Sequence, residues 1–433
     1  MKFTISISLI CLSFAMPNLM AQSQNLWHGE TRKIHYAPEG KSFILKNGTR
    51  KFNRALYGNN TAFRVEAGDL PEFATYMPGM GGNLKLGIVN GKNSKWITEA
   101  DKIDTKYTPG IVEYQINDAL LSNATLTIQI VALADSDGFI LKVIGNNVPK
   151  NISLIWAYGG ASGKKFSRNG DIGGDPESVF YLQPEYCINN QYQINKNSFT
   201  LSYGSESSKK VTENTQLINA VFPDSKTHLS SANFLKTPLE NYTSKVDSAP
   251  MIIGQMNQFS KEGNYWLFEN TSKIDNTTQN AIAEKFKKAL AQSEQMANRI
   301  KVNTPDPYIN TLGGALAMAA DAIWESPAYL HGAIAWRMHL NAWRGAYVAD
   351  PLGWHDRAKT HFESYGNSQV ITPETGPVVP DTTRNYARQL EKMGTSMFSS
   401  GYISRNPNKN DIAHHYDMNL VFIDQLVRHF KWT

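Results

Sequence analysis

The sequence predicts a multidomain protein, β then α: a large antiparallel β-sandwich followed by a series of helices. Three observations predict it. From about Trp27 to Phe268 the apolar residues come in short alternating runs closed by Gly, Asn and Asp. Near Asn276 the pattern changes to the Ala, Lys, Gln and Glu of a helix. The final stretch, Met418 to Trp432, keeps a helical spacing of apolar residues.

The chain begins with a segment that reads as a signal peptide over residues 1–21. Lys2 supplies a positive n-region, Phe3 to Ala15 a short apolar h-region, and Ala21 a small residue at the end. The expectation is a secreted or periplasmic protein with no membrane span, because no apolar run is long enough to cross a bilayer. Removing that segment also removes Cys11 and leaves Cys187 alone, so no internal disulfide is available. With 433 residues, 41% of them hydrophobic, the chain can bury sizeable cores without such staples. The net charge of +5 is dispersed, which argues against a nucleic-acid partner. No cofactor and no metal is implied.

Within the sandwich, expected over residues 22–275, Ser42 to Leu45 is a strand, and Asn47-Gly48 after it signals a hairpin. Leu126, Ile128 and Ile130 alternate with Thr125, Thr127 and Gln129. Asp137-Gly138 then turns the chain into Phe139 to Val143. Ser153 to Ala157, Ser198 to Tyr203 and Tyr265 to Phe268 are further strands, and no ten-residue helix pattern interrupts them. Gly170 to Glu177 reads as an acidic surface loop. Residues 276–303 form a linker helix with Phe286, Leu290 and Met296 on one stripe. Beyond it, helices are expected at Tyr308 to Trp324, Ala349 to Tyr365, Thr382 to Lys392 and His415 to Phe430. The small residues of the first of these permit close packing.

The chemistry is expected between residues 336 and 357, where three Trp, three Arg, two His, two Asp and a Tyr crowd together. Aromatic faces stack on the C–H face of a pyranose, and Arg, Asp, Asn and His bond its hydroxyls. Trp336, Arg337, Trp343, Arg344, Tyr347, Trp354, His355 and Arg357 are therefore the candidate substrate-binding residues. Gly345, Pro351 and Gly353 place them on a loop. The competing reading is a polar seam in which Arg and Asp pair and Trp packs. Glycoside hydrolysis uses two carboxyl groups, and the catalytic candidates are Asp350 and Glu325. Asp350 could equally cap the next helix. Asp356 is read as a salt-bridge partner of Arg357, and Asp417 as a cap of the last helix. His414-His415 lacks the spacing of a helical metal site.

The order of export signal, sandwich, linker helix and Trp/Arg-rich loop resembles the six-hairpin glycosidases. More narrowly, three stretches resemble a Bacteroidota polysaccharide-utilisation family of that type. They are Trp156 to Lys164, Asp175-Pro176-Glu177-Ser178, and Asn341 to Tyr347 with Gly353 to Arg357. The resemblance implies that residues 304–433 open an (α/α)6 toroid whose site faces the sandwich. Twelve helices are implied and fewer than half have candidates in this sequence, so the chain reads as an N-terminal fragment whose general acid lies in later helices. The expected activity is that of an exported glycoside hydrolase, or its N-terminal portion, acting on a polysaccharide or oligosaccharide. The alternatives are a non-catalytic glycan-binding protein and a polysaccharide lyase, with His355 or Tyr347 as base and Arg344 facing a uronate.

Overall fold

The computed structural model describes residues 35–165, 176–204, 214–271, 277–334, 337–341, 345–369, 401–409 and 416–433. The expected signal peptide, most of the acidic loop and the helix at Thr382 to Lys392 lie outside them.

Two antiparallel sheets face each other. The first has ten strands, which in spatial order are β1 (Ala37–Glu39), β2 (Ser42–Lys46), β8 (Lys102–Thr108), β9 (Ile111–Asn117), β10 (Thr125–Ala132), β11 (Gly138–Asn146), β18 (Asn264–Glu269), β15 (Asn214–Val221), β14 (Ser198–Gly204) and β13 (Gln191–Ile194). The second runs β16 (Lys226–Ser231), β17 (Pro250–Met256), β12 (Ile152–Ala161), β6 (Met80–Asn90), β5 (Phe73–Tyr76), β4 (Arg64–Ala67) and β3 (Arg54–Leu56), with β7 (Asn93–Trp96) also on β6.

The alternation expected in β10 is real. Leu126, Ile128 and Ile130 are buried, whereas Thr125, Thr127 and Gln129 are partly open. β12 is buried throughout because the second sheet is covered on both faces. Leu154, Trp156 and Tyr158 point into the space between the sheets. Ile155 and Ala157 point the other way, onto Cys187, Met251 and Ile253. At the centre Trp156 meets Phe222 at 4.6 Å and Tyr158 meets Phe268 at 4.6 Å, ring to ring across the two sheets. Gly254 faces Trp156 in the neighbouring strand, where a Cβ would lie 2.5 Å from the indole.

Asn47-Gly48 does not close a hairpin. The chain leaves the first sheet there and enters the second at β3. Asn47 instead ties β2 to β8: its N–H donates to the Ile103 carbonyl, and its side chain accepts from the Ile103 N–H. The tight hairpin at this edge joins β1 to β2 through Gly40, at φ +60°. One short helix, α1 (Pro238–Thr243), escaped the periodicity because six residues are too few to show it. Its start is nonetheless signalled by Thr237-Pro238-Leu239-Glu240, and Thr237 accepts from the Glu240 N–H.

The expected linker is α2 (Gln279–Ala297), capped by Thr278. It is clamped rather than free. Ile282, Phe286 and Ala289 pack on Val131, Ile140, Tyr265 and Leu267, the outer face of the first sheet. α3 (Pro307–Ala322) is capped by Asp306, whose carboxylate accepts from the Tyr308 N–H at 2.8 Å. Its Gly314 lies against Ala297 and Pro109, where small size permits close approach. A two-strand hairpin follows, β19 (Trp324–Glu325) and β20 (Ala328–Tyr329). The helix expected from Ala349 starts later, as α4 (His355–Gly366). The last helix is α5 (Tyr416–Trp432). Ala320, Trp324, Tyr329, Trp354, Phe362, Tyr365, Met418 and Phe422 form a second core among these elements. No helix among the described residues is long and apolar enough to cross a membrane.

Candidate functional site

Asp350-Pro351-Leu352-Gly353 has the residues of a tight turn, with Asp first, Pro second and Gly fourth. The structure forms it: the Gly353 N–H donates to the Asp350 carbonyl at 2.9 Å. Gly353 sits at φ +73°, a conformation that favours glycine. The chain is thereby reversed, and His355, the first residue of α4, comes back over Asp350. Asp350 is therefore not the cap of α4; Trp354 holds that position, without a side-chain hydrogen bond.

The Asp350 carboxylate is buried, at 6% exposure, and two imidazoles meet it. Nδ1 of His355 is 2.8 Å from Oδ1. Nδ1 of His429, from α5, is 3.1 Å from Oδ1 and 3.0 Å from Oδ2. A carboxylate has only acceptor oxygens, so each Nδ1 carries the hydrogen and donates it. Each Nε2 is then left to accept from, or donate to, whatever lies beyond. The His355 side chain is 46% exposed and that of His429 is 14% exposed, so His355 is the end that reaches solvent. Among the described residues no three His, Cys, Asp or Glu side chains are arranged to hold a metal ion. This cluster is thus a hydrogen-bonded unit.

Of the expected sugar platforms, Trp354 is placed inside the protein. It is buried, with two guanidinium groups over its rings, Arg299 at 5.3 Å and Arg357 at 4.6 Å. Arg299 is fixed by the Leu352 carbonyl at 2.8 Å. Arg357 is fixed by Asp321 of α3 at 2.7 Å and also faces Trp324 at 5.6 Å. Trp354 and Arg357 therefore form an internal clamp between α3 and α4, and the partner of Arg357 is Asp321 rather than Asp356. Arg337 is likewise committed. It bonds Glu325 at 2.5 Å and the Ala322 carbonyl at 3.0 Å, which fixes the hairpin to the end of α3. Glu325 keeps 41% of its side chain open. Tyr347 is exposed, and its hydroxyl donates to Asp424 of α5 at 2.8 Å, while Arg428 bonds the same oxygen at 2.9 Å.

The sandwich approaches this region through the loop between β3 and β4. Asn60 donates to the Asp321 carbonyl at 3.1 Å. Tyr57 on the same loop has its phenol pushed up by burial, with the charges of Arg64, Glu66 and Arg337 acting on it. Beneath the hairpin, His361 is buried, and its Nδ1 accepts from the Tyr329 N–H at 3.1 Å. Burial, with a smaller contribution from the neighbouring His339, lowers this imidazole to about 3. His339 is itself lowered, first by burial and then by Lys409 and Arg405, with Glu325 opposing.

Trp336, Trp343, Arg344, His414 and His415 lie outside the described residues, as does the side chain of Asp417. Sequence reasoning missed His429, Asp321, Arg299 and Asp424. Asp321 and Arg299 carry no local motif. His429 is 79 residues from Asp350, and only the docking of α5 joins them.

Residues 77–290 match the family model described as Domain of unknown function (DUF4450). The match covers the sandwich from the end of β5 onward and most of α2, and it stops before the Asp350 cluster. No curated protein matches the chain.

Proposed function

We propose that the chain is part of an exported glycan-degrading enzyme and that its chemistry centres on His355, held by Asp350. One observation carries this reading: a buried carboxylate bonded to Nδ1 of an imidazole whose other edge is open to solvent. That arrangement orients a general base. The carbohydrate assignment rests on the resemblance to six-hairpin glycosidases and on the aromatic and guanidinium content of residues 336–357 other than Arg337, Trp354 and Arg357, which the structure uses internally. The toroid belongs to the same proposal. Its support is that α3 turns Ile309, Leu312 and Leu316 outward, and α5 turns Leu420, Ile423, Val427 and Phe430 outward. Helices apolar on the outside as well as the inside suit a further helical layer.

In the leading reading the bond is hydrolysed. His355 takes a proton from the attacking water, and Glu325, the candidate carboxyl that keeps solvent access, would give one to the departing sugar oxygen only after leaving its pair with Arg337 and taking up a proton from solvent. Asp350 is unsuited to either step, because both its oxygens face imidazoles. A second reading, β-elimination from a uronate-containing glycan, is favoured by the base being an imidazole beside an inaccessible carboxylate. A glycan panel decides between them. New reducing ends without absorbance at ~235 nm mark hydrolysis, and growth of that absorbance marks elimination. His355→Ala should lower turnover by roughly 10²-fold or more in either case. Wild-type turnover by that variant would remove His355 from the chemistry. Retention of a glycan without turnover by the unaltered chain would leave a binding protein.

A further inference from the structure

We infer that His429 is a positioning residue of this site: it holds Asp350 in the orientation that fixes the His355 ring. The inference rests on the reading of His355 as the base and adds a residue from the far end of the described chain.

The geometry is specific. Oδ1 of Asp350 accepts from both rings, at 2.8 Å and 3.1 Å, and Oδ2 faces His429 at 3.0 Å. Bonding to His355 alone would leave the carboxylate free to rotate about its last torsion, since one oxygen would be unengaged. His429 spans both oxygens and removes that freedom. His429 is held in turn from α5: its ring lies 5.2 Å from that of Phe362, on the face of α5 that carries Met418 and Phe422 inward. α5 is pinned beside it by Asp424, which receives the Tyr347 hydroxyl and the Arg428 guanidinium. The order of control therefore runs from α5 through His429 to Asp350, and from Asp350 to His355. With Asp350 fixed, His355 keeps its hydrogen on Nδ1 and presents Nε2 outward, as a base requires. A docked α5 is then a condition for an ordered base.

The test uses side-chain chemistry that a merely structural residue would not alter. In Asn, the amide nitrogen is attached to Cγ, as Nδ1 is in His; in Gln it lies one bond further out. His429→Asn can therefore still donate to Asp350, whereas His429→Gln and His429→Leu cannot do so from the same point. The readouts are the His355 tautomer by ¹⁵N NMR of the imidazole and the rate at which diethyl pyrocarbonate modifies His355. His429→Leu should mix the two tautomers and slow modification by about twofold, the share of rings that no longer present a free Nε2. His429→Asn should restore both and His429→Gln should not. If His429→Leu fails to fold, the comparison of Asn with Gln carries the result. A fixed Nδ1–H tautomer and unchanged modification in His429→Leu, or Asn and Gln variants that behave alike, would overturn the inference. Neither readout depends on turnover. A shifted tautomer in a protein that cleaves no glycan would therefore refute the proposed function and leave the positioning role standing.

Discussion

Acid should weaken the helical part of the molecule through one residue, His361. Its ring is lowered from 6.5 to about 3, chiefly because it is buried. Tyr329, Phe362 and Tyr365 surround it, and its Nε2 has no hydrogen-bond partner among the described residues. In the folded state the ring stays neutral, with Nδ1 accepting the Tyr329 N–H. In the unfolded chain it takes up a proton near 6.5. The unfolded state therefore binds more protons between those two values, and stability must fall as pH falls through that window. Each pH unit costs about 1.4 kcal/mol. From about pH 7.5 to about pH 5 the loss is about 2 kcal/mol, since only the portion below about 6.5 counts. The assay is urea unfolding followed by helical circular dichroism at both pH values. Other groups titrate as well, so the decisive quantity is the difference between wild type and His361→Asn. That variant offers an amide oxygen on Cγ where Nδ1 stood, keeps the Tyr329 N–H satisfied and cannot take up the proton. It should be less stable at the higher pH, because the ring is lost, yet lose about 2 kcal/mol less than wild type on acidification. An equal loss in the two proteins would refute the reasoning.

Three further outcomes follow from the same geometry. Trp354→Ala should cost about 3–5 kcal/mol in urea unfolding, because a buried indole and two guanidinium contacts disappear together; a loss under about 1 kcal/mol would mean that the ring is not clamped. Gly353→Ala should cost about 1–2 kcal/mol, since alanine resists φ +73°, and should also disturb His355, which the turn positions; an unchanged melting temperature would refute it. Leu420→Lys, at a position 71% exposed on the outer face of α5, should change stability by less than about 0.5 kcal/mol in urea unfolding. A large destabilisation there would show that the face is already covered within this chain.

The sandwich was legible because its signal is local. Alternation at Leu126, Ile128 and Ile130 states which side chains face inward, whatever the rest of the chain does. The turn at Asp350-Pro351-Leu352-Gly353 carries local signals of the same kind, yet the helix expected from Ala349 runs across it and leaves the turn unnamed. Its consequence, the return of His355 over Asp350, depends on where α4 docks and is not written in the turn residues. Asn47-Gly48 misled because a turn signal fixes a local bend and not the strand that follows; in this chain the next strand lies in the other sheet. Trp354 and Arg357 show a different limit. A sugar cradle and a guanidinium–indole clamp are built from the same two residue types, and only burial separates them. Trp354, buried with Arg299 and Arg357 over its rings, belongs to the second kind.

His429 shows where a periodic pattern runs out. α5 has two apolar stripes. One runs Met418, Phe422, Gln425, His429, and the other Leu420, Ile423, Val427, Phe430. Both keep the three-and-four spacing of a helix face, so periodicity alone gives no reason to prefer either. The more apolar stripe is the one that faces out, with Phe430 at 80% exposure. The less apolar stripe faces in, because it alone can do two things at once: Phe422 fills the core beside Phe362 and Tyr365, and His429 reaches the buried carboxylate of Asp350. A buried carboxylate left to one half-exposed imidazole would be poorly compensated, and the second ring meets that need. The orientation of α5 is thus set by a polar requirement at one end and an aromatic one in the middle. Its greasier side is left for contacts that the described residues do not make.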